Sequence, residues 1–92
     1  MTDRVDLIKE RLTAAIQISH IEIVDDSSKH AGHVGARDGG GHFNVHIVSS
    51  EFNDKSLIQR HRIVYAAVDD LMNTEIHALS INAQTPEEFS SN

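Results

Sequence analysis

The chain has 92 residues, seven histidines and no cysteine, and its formal net charge is −6 with the histidines neutral. This length gives one small domain, residues 1–92. The lack of cysteine excludes disulfides, thiol catalysis and cysteine-only metal sites. The negative charge argues against a general polyanion binder, which normally carries a basic face. Neither a signal-peptide pattern nor an apolar run of about 18 residues occurs, so we expect a cytoplasmic protein without a membrane span.

The first half of the chain predicts one helix and two strands. Apolar residues recur at helical spacing after Thr2 or Asp3, either of which can cap a first helix. Residues 20–26 and 42–50 alternate between apolar and polar side chains, as half-buried strands do. Between them, residues 27–41 hold all five glycines. We therefore expect a flexible loop there, with a functional role.

The second half predicts a long helix, a third strand and a short helical end. Ser56 is the expected cap of a helix that runs to about residue 73, and residues 76–83 form the strand. Residues 85–88 combine a capping box with proline at the first helical position, and residues 90–92 should fray. A strand–helix–strand order favours a parallel crossover. The predicted fold is α+β, α-β-β-α-β with a C-terminal helical turn: a three-stranded mixed sheet with helices on one face.

Four segments of the chain, taken in order, resemble the BolA family. They are His30-Ala31-Gly32-His33 with Gly41-His42-Phe43, Val48-Ser49-Ser50 with Phe52, Gln59-Arg60-His61-Arg62-Ile63-Val64-Tyr65, and Ile76-His77-Ala78-Leu79-Ser80-Ile81 with Thr85-Pro86-Glu87. The match spans nearly the whole chain. The resemblance implies a fold related to type II KH domains. It also implies a heterodimer with a monothiol glutaredoxin, in which a [2Fe-2S] cluster is shared with glutaredoxin and glutathione.

The resemblance also implies which residues hold that cluster. His77 matches the family's C-terminal ligand, and the second ligand comes from the loop as His30 or His33, with His30 favoured. Some subfamilies place a cysteine just before the second strand, where this chain has glycines at 39–41, so it resembles the histidine-loop subfamily. The implied role is non-enzymatic, in cluster trafficking or in iron and stress regulation. We expect no cofactor in the isolated chain, which should be a monomer or a weak homodimer.

The residue pattern alone gives plainer interpretations of the same histidines. His77 shares a strand face with Leu79 and Ile81, which favours a packed core histidine. Three other histidines are interpreted as surface residues without a special role: His20, His42 and His46. Only the family resemblance makes His77, His30 and His33 candidate cluster ligands.

A DNA-binding transcriptional regulator is the alternative function, with Lys55, Arg60 and Arg62 at the phosphates. Residues two apart on a helix diverge, so Arg60 and Arg62 do not form one flat face. We expect one of them to be exposed and the other to pair with a carboxylate or to pack its stem. The sequence shows no nucleophile, phosphate-binding loop or metal-spaced carboxylate pair, which predicts that the protein is not an enzyme.

Overall fold

The structure is a computed structural model that describes residues 4–26, 41–72 and 74–91. The elements are α1 (Arg4–Ala15), β1 (His20–Asp25), β2 (Gly41–Val48), α2 (Leu57–Ala67), β3 (Ile76–Gln84) and α3 (Pro86–Ser90). Single 3-10 turns lie at Ser50–Phe52 and Asp69–Leu71. The predicted element order, with its C-terminal helical turn, is confirmed.

Two of the expectations concern residues that the structure describes only in part. The loop predicted for residues 27–41 lies outside the described residues except at its last residue, Gly41, which is buried and is the first residue of β2. The expected fraying concerns residues 90–92, of which the last is outside as well. Among the helices that are described, none has the length and apolar character needed to cross a bilayer.

The three strands form one mixed sheet in the order β1-β2-β3. β1 pairs with β2 in antiparallel register, and β2 pairs with β3 in parallel register. A parallel pair needs a crossover connection, which is supplied by the segment containing α2. The α+β class and the three-stranded mixed sheet agree with the sequence prediction.

One face of the sheet packs against α1 and α2 to form the core. On β2 the buried side chains alternate, with Phe43, Val45 and Ile47 at 2% exposure or less. α1 contributes Ile8 and Leu12 to the same cluster. Fully burying an apolar side chain of this size contributes about 1.5–3 kcal/mol. The core therefore fixes which face of each strand points away from the helices.

Helix α2 ends earlier than the sequence prediction of residue 73. The α-helix stops at Ala67, and Val68 adopts φ −113° and ψ 17° before a 3-10 turn begins. Two aspartates follow, Asp69 and Asp70, with low helix propensity and a negative charge that is unfavourable at a helix C-terminus. The tighter turn still buries Leu71 beside Val68. The predicted cap is correct, because Ser56 and Gln59 form a capping box.

Candidate functional site

The face of the sheet turned away from α1 and α2, called the open face below, carries polar side chains from all three strands. Strand alternation places them there, since residues next to buried core positions point to the opposite side. They are His20, Glu22, His42, Asn44, His46, His77, Ser80 and Asn82. Four of the seven histidines of the chain are thus on one surface.

His77 and His42 form a stacked pair at one end of the open face. Their ring centroids are 5.0 Å apart and their planes are inclined by 28°. His77 is exposed and His42 is partly buried. The pair therefore presents imidazole nitrogen atoms beside the start of β2.

The expectation that His77 packs in the core is wrong, and a bulge in β3 explains why. Gly41 pairs with Ile76 but His42 pairs with Ala78, so His77 is an extra residue between two pairs. A bulge of one residue breaks the strict alternation of a strand. Ile76 remains 1% exposed in the core, whereas His77 turns outward beside His42.

The two loop candidates, His30 and His33, lie outside the described residues. The segment that contains them leaves the sheet at Asp26 and returns at Gly41. These two junctions are tied together, because the Asp26 amide donates to the His42 carbonyl at 2.7 Å and the Gly41 amide donates to the Glu75 carbonyl at 3.0 Å. The segment therefore joins the sheet at the end where His42 and His77 stack.

A second group, the histidine–glutamate cluster, contains His20, Glu22 and His46 and lies further along the open face. The His20 Nε2 atom is 2.8 Å from a Glu22 carboxylate oxygen. The His46 Nε2 atom is 2.6 Å from the side-chain oxygen of Gln84. The Phe89 ring of α3 covers both imidazoles, stacked on His20 at 4.8 Å and edge-to-face with His46 at 5.4 Å.

Sequence reasoning missed both groupings for one reason. It located His42 and His46 correctly on the outer face of β2 but treated them singly. The contacts depend on the pairing registers, which place Glu22 opposite His46 and place the β3 bulge beside His42. A signal for the second grouping was available in the sequence. Polar residues occur at period-two spacing in both strands and include His20, Glu22 and His46.

Arg60 and Arg62, two of the basic residues of the alternative function, differ in exposure and pairing as expected. Arg60 is 8% exposed and pairs with Glu88, with Nη1 2.7 Å from a carboxylate oxygen. Its guanidinium also donates to the carbonyls of Ala83 and Lys55, each at 3.0 Å. Arg62 and Lys55 are exposed. Arg60 thus joins α2 to β3 and α3.

The Arg60–Glu88 pair fixes the position of α3. The hydrogen bond from Arg60, followed by the bond from the Thr85 backbone amide, lowers the pKa of Glu88 below its ordinary value of 4.5. Glu88 also completes the capping box of α3 with Thr85. Since α3 carries Phe89, this ion pair holds the cover of the histidine–glutamate cluster in place.

Comparison with known proteins identifies the family. The family model described as BolA-like protein matches residues 12–88. SufE-like protein 1, chloroplastic/mitochondrial, of Arabidopsis thaliana is 43% identical over 86 residues, which are 88% of this chain and 23% of that protein. The DNA-binding transcriptional regulator BolA of Escherichia coli strain K12 is 34% identical over 82 residues, covering 89% and 75%.

A solved structure shows the same fold. The BolA domain of SufE1 from Arabidopsis thaliana superimposes with a TM-score of 0.82 at 42% identity, covering 96% of this chain and 98% of that one. The chain matches a whole domain there but spans only 23% of SufE-like protein 1. Sequence, family model and fold agree, and the chain belongs to the BolA-like protein family.

Proposed function

We propose that the chain is a non-enzymatic iron–sulfur adaptor that pairs with a monothiol glutaredoxin. It would give His77, with His30 or His33, to a [2Fe-2S] cluster that bridges the two proteins. The chain has no cysteine, so the thiolates would come from glutaredoxin and glutathione. The observation that carries the proposal is the exposed His77 ring, which the β3 bulge turns out of the core.

The chemistry of the donors fits a shared cluster better than a self-contained one. Two imidazoles bind one iron in Rieske centres, whereas most cluster sites use thiolates throughout. An exposed ring at the end of a sheet can contact a partner without local unfolding. The loop that carries His30 and His33 joins the sheet beside that ring, at Asp26 and Gly41.

His42 is placed to orient His77. Stacking at 5.0 Å restricts rotation of the His77 ring and so favours one direction for its nitrogen atoms. His42 also offers a second imidazole at this end. Substituting His42 separately from the loop pair therefore distinguishes an orienting residue from a ligand.

Imidazole ligation should give the shared cluster two measurable properties. The reduction potential should be higher than that of a cluster held only by thiolates, because neutral imidazole adds less negative charge. The cluster should also be lost more readily on acidification, because a protonated imidazole does not bind iron. A mixed complex as stable to acid as an all-thiolate one would contradict this ligand assignment.

Reconstitution is the direct test. The protein, a monothiol glutaredoxin, glutathione, iron and sulfide are mixed, and visible absorption and circular dichroism are recorded. His77→Ala should abolish or alter the spectrum of the heterodimer. His61→Ala, at a partly buried histidine of α2, is the control and should leave the spectrum unchanged. An unchanged spectrum in His77→Ala would refute the assignment.

The second ligand is assigned in the same assay. If the loop supplies it, the double variant His30→Ala/His33→Ala should resemble His77→Ala, and His42→Ala should retain the cluster with a shifted circular dichroism spectrum. If His42→Ala loses the cluster and the loop variant keeps it, His42 is the ligand. Sedimentation of the isolated chain tests the expected monomer or weak homodimer.

DNA binding is the second candidate function, because one relative is named a DNA-binding transcriptional regulator. Lys55 and Arg62 are exposed and could contact phosphates, but Arg60 already donates to Glu88 and two carbonyls. Fluorescence anisotropy with labelled duplex DNA should show steep loss of affinity with salt if phosphates are contacted. The absence of binding at low salt would reject this function.

The cytoplasm remains the predicted compartment. The name of the plant relative includes chloroplastic and mitochondrial. Cell fractionation followed by detection of the native protein is the measurement that tests this prediction.

A further inference from the structure

The histidine–glutamate cluster has the composition of a metal site that needs no partner. His20, Glu22 and His46 each offer one ligand atom, and these atoms all lie within 4.8 Å of one another. Two imidazoles and one carboxylate are a known zinc ligand set, which leaves a fourth position for water. This group is separate from the proposed cluster ligands. His42 and His46 are four residues apart on β2, which corresponds to about 13 Å along a strand.

Strand register brings the three side chains together. His20 and Glu22 are two residues apart on β1 and therefore point to the same side. Glu22 is directly opposite His46 in the antiparallel pair. Backbone pairing thus brings the three side chains to one place on the open face. The same residues in an irregular loop would have no comparable constraint.

The distances require only a small adjustment to bind an ion. Ligand atoms at about 2.0–2.1 Å from one tetrahedral zinc ion are about 3.3 Å from each other. The His20 and Glu22 atoms are 2.8 Å apart, and the largest separation in the cluster is no more than 4.8 Å. Side-chain rotation that moves the His46 ligand atom by up to roughly 1.5 Å would close the site, which is within ordinary side-chain motion.

The surroundings restrict the two imidazoles before any ion binds. Phe89 stacks on His20 and meets the edge of His46, so one side of the cluster is an apolar wall. Gln84 contacts the His46 ring at 2.6 Å, and its oxygen can serve as a further polar neighbour. Side chains held by packing lose less freedom when they bind a ligand, and this favours affinity.

We propose that His20, Glu22 and His46 bind one divalent transition-metal ion of borderline softness, with zinc as the expected occupant. Magnesium and calcium prefer oxygen ligands throughout, and copper(I) prefers sulfur. The bound ion joins β1 to β2 beneath Phe89. It requires neither glutaredoxin nor glutathione. Its occupancy is therefore independent of the cluster proposed at His77.

The test uses the isolated full chain with zinc or cobalt chloride. Zinc is titrated against a chromophoric chelator, and cobalt is followed by its visible absorption. The wild-type chain should bind one equivalent at the cluster. His46→Ala and Glu22→Gln should each weaken zinc binding by at least about tenfold, since even the loss of an outer-shell partner costs 10–100-fold. Glu22 is exposed, so Glu22→Gln should fold normally, as circular dichroism will check.

The controls separate this site from the other histidines. The triple variant His30→Ala/His33→Ala/His77→Ala should retain the zinc site. Zinc should shift the NMR ring signals of His20 and His46 in that variant and leave His61 unchanged. The proposal is overturned if the wild-type chain shows no saturable binding up to roughly 1 mM zinc. It is equally overturned if the triple variant abolishes binding while Glu22→Gln retains it.

Discussion

The two ends of the open face both carry histidines, but they differ in how many metal-binding side chains lie together. At the start of β2, His42 and His77 form a stacked pair of imidazoles. Further along β2, His46 meets His20, Glu22 and the Phe89 ring. In the function proposed above, the first end shares its ligand with a partner protein, whereas the second end holds three donor residues beneath the Phe89 ring.

The difference indicates that the number of histidines alone does not predict which metal site a surface can form. What matters is which donors the register places side by side and whether an apolar neighbour restrains them. A pair in which His77 is exposed, beside the junctions at Asp26 and Gly41, is suited to a ligand that is shared with a partner and exchanged. A restrained trio is suited to an ion that stays. Substitutions that affect one end and spare the other test this distinction.

The largest effect is expected from a substitution that should not discriminate between the two ends. Phe43 is 2% exposed in the core and precedes Asn44 on the strand that carries both ends. Phe43→Ala should lower the free energy of unfolding by about 3–5 kcal/mol. Urea denaturation measures this loss, with exposed Val24→Ala as the control. Zinc binding and cluster assembly should both fall with the folded fraction, and selective loss at one end would contradict a common scaffold.

A smaller and selective effect is expected from Phe89→Ala. Removing the ring should cost about 0.5–1.5 kcal/mol of stability, the range of an aromatic pair. Zinc affinity should fall several-fold because the imidazoles lose their apolar wall, while the reconstituted heterodimer keeps its spectrum. Leu57→Ala, at another exposed apolar residue, is the control for general surface effects. An equal loss at both ends would show that α3 stabilises the whole sheet.

The smallest effect concerns the ion pair that holds α3. The pKa of Glu88 is lowered from 4.5, so the carboxylate stabilises the folded chain above that pH, and the contribution is lost as the pH falls through the lowered pKa. Glu88→Gln keeps the capping geometry without the charge, so its stability should depend less on pH between about 6 and 3. Urea denaturation across this range measures the difference. Glu87→Gln, at an exposed neighbour, should behave like wild type.

The elements of the fold could be predicted because each rests on local chemistry. The capping box at Ser56 and the Thr85-Pro86 start of α3 are visible as residue types at fixed spacing. Period-two alternation located β1 and β2 to within two residues. The end of α2 was missed because apolar spacing continues through Val68 and Leu71, although the backbone between them changes to a 3-10 turn.

The candidate site was harder to predict from the sequence because it depends on pairing between strands that are distant in the chain. The register that sets Glu22 against His46 is a tertiary property, and the residues of either strand alone do not specify it. The burial of Arg60 likewise depends on Glu88, which is 28 residues away. Family resemblance supplied His77 as a proposed ligand, but its exposure follows from the β3 bulge.

Because of the bulge at His77, the number of residues in β3 helps to determine which of its side chains face outward, whatever their identity. Deleting His77 would remove the extra residue, so that Ile76 and Ala78 would follow each other and pair with Gly41 and His42 without a bulge. Alanine scanning changes side chains without changing strand length, so it cannot reveal this dependence. Single-residue deletions and insertions along β3 would. Among natural variants, a change of one residue in the length of this strand should therefore alter function more than most substitutions within it.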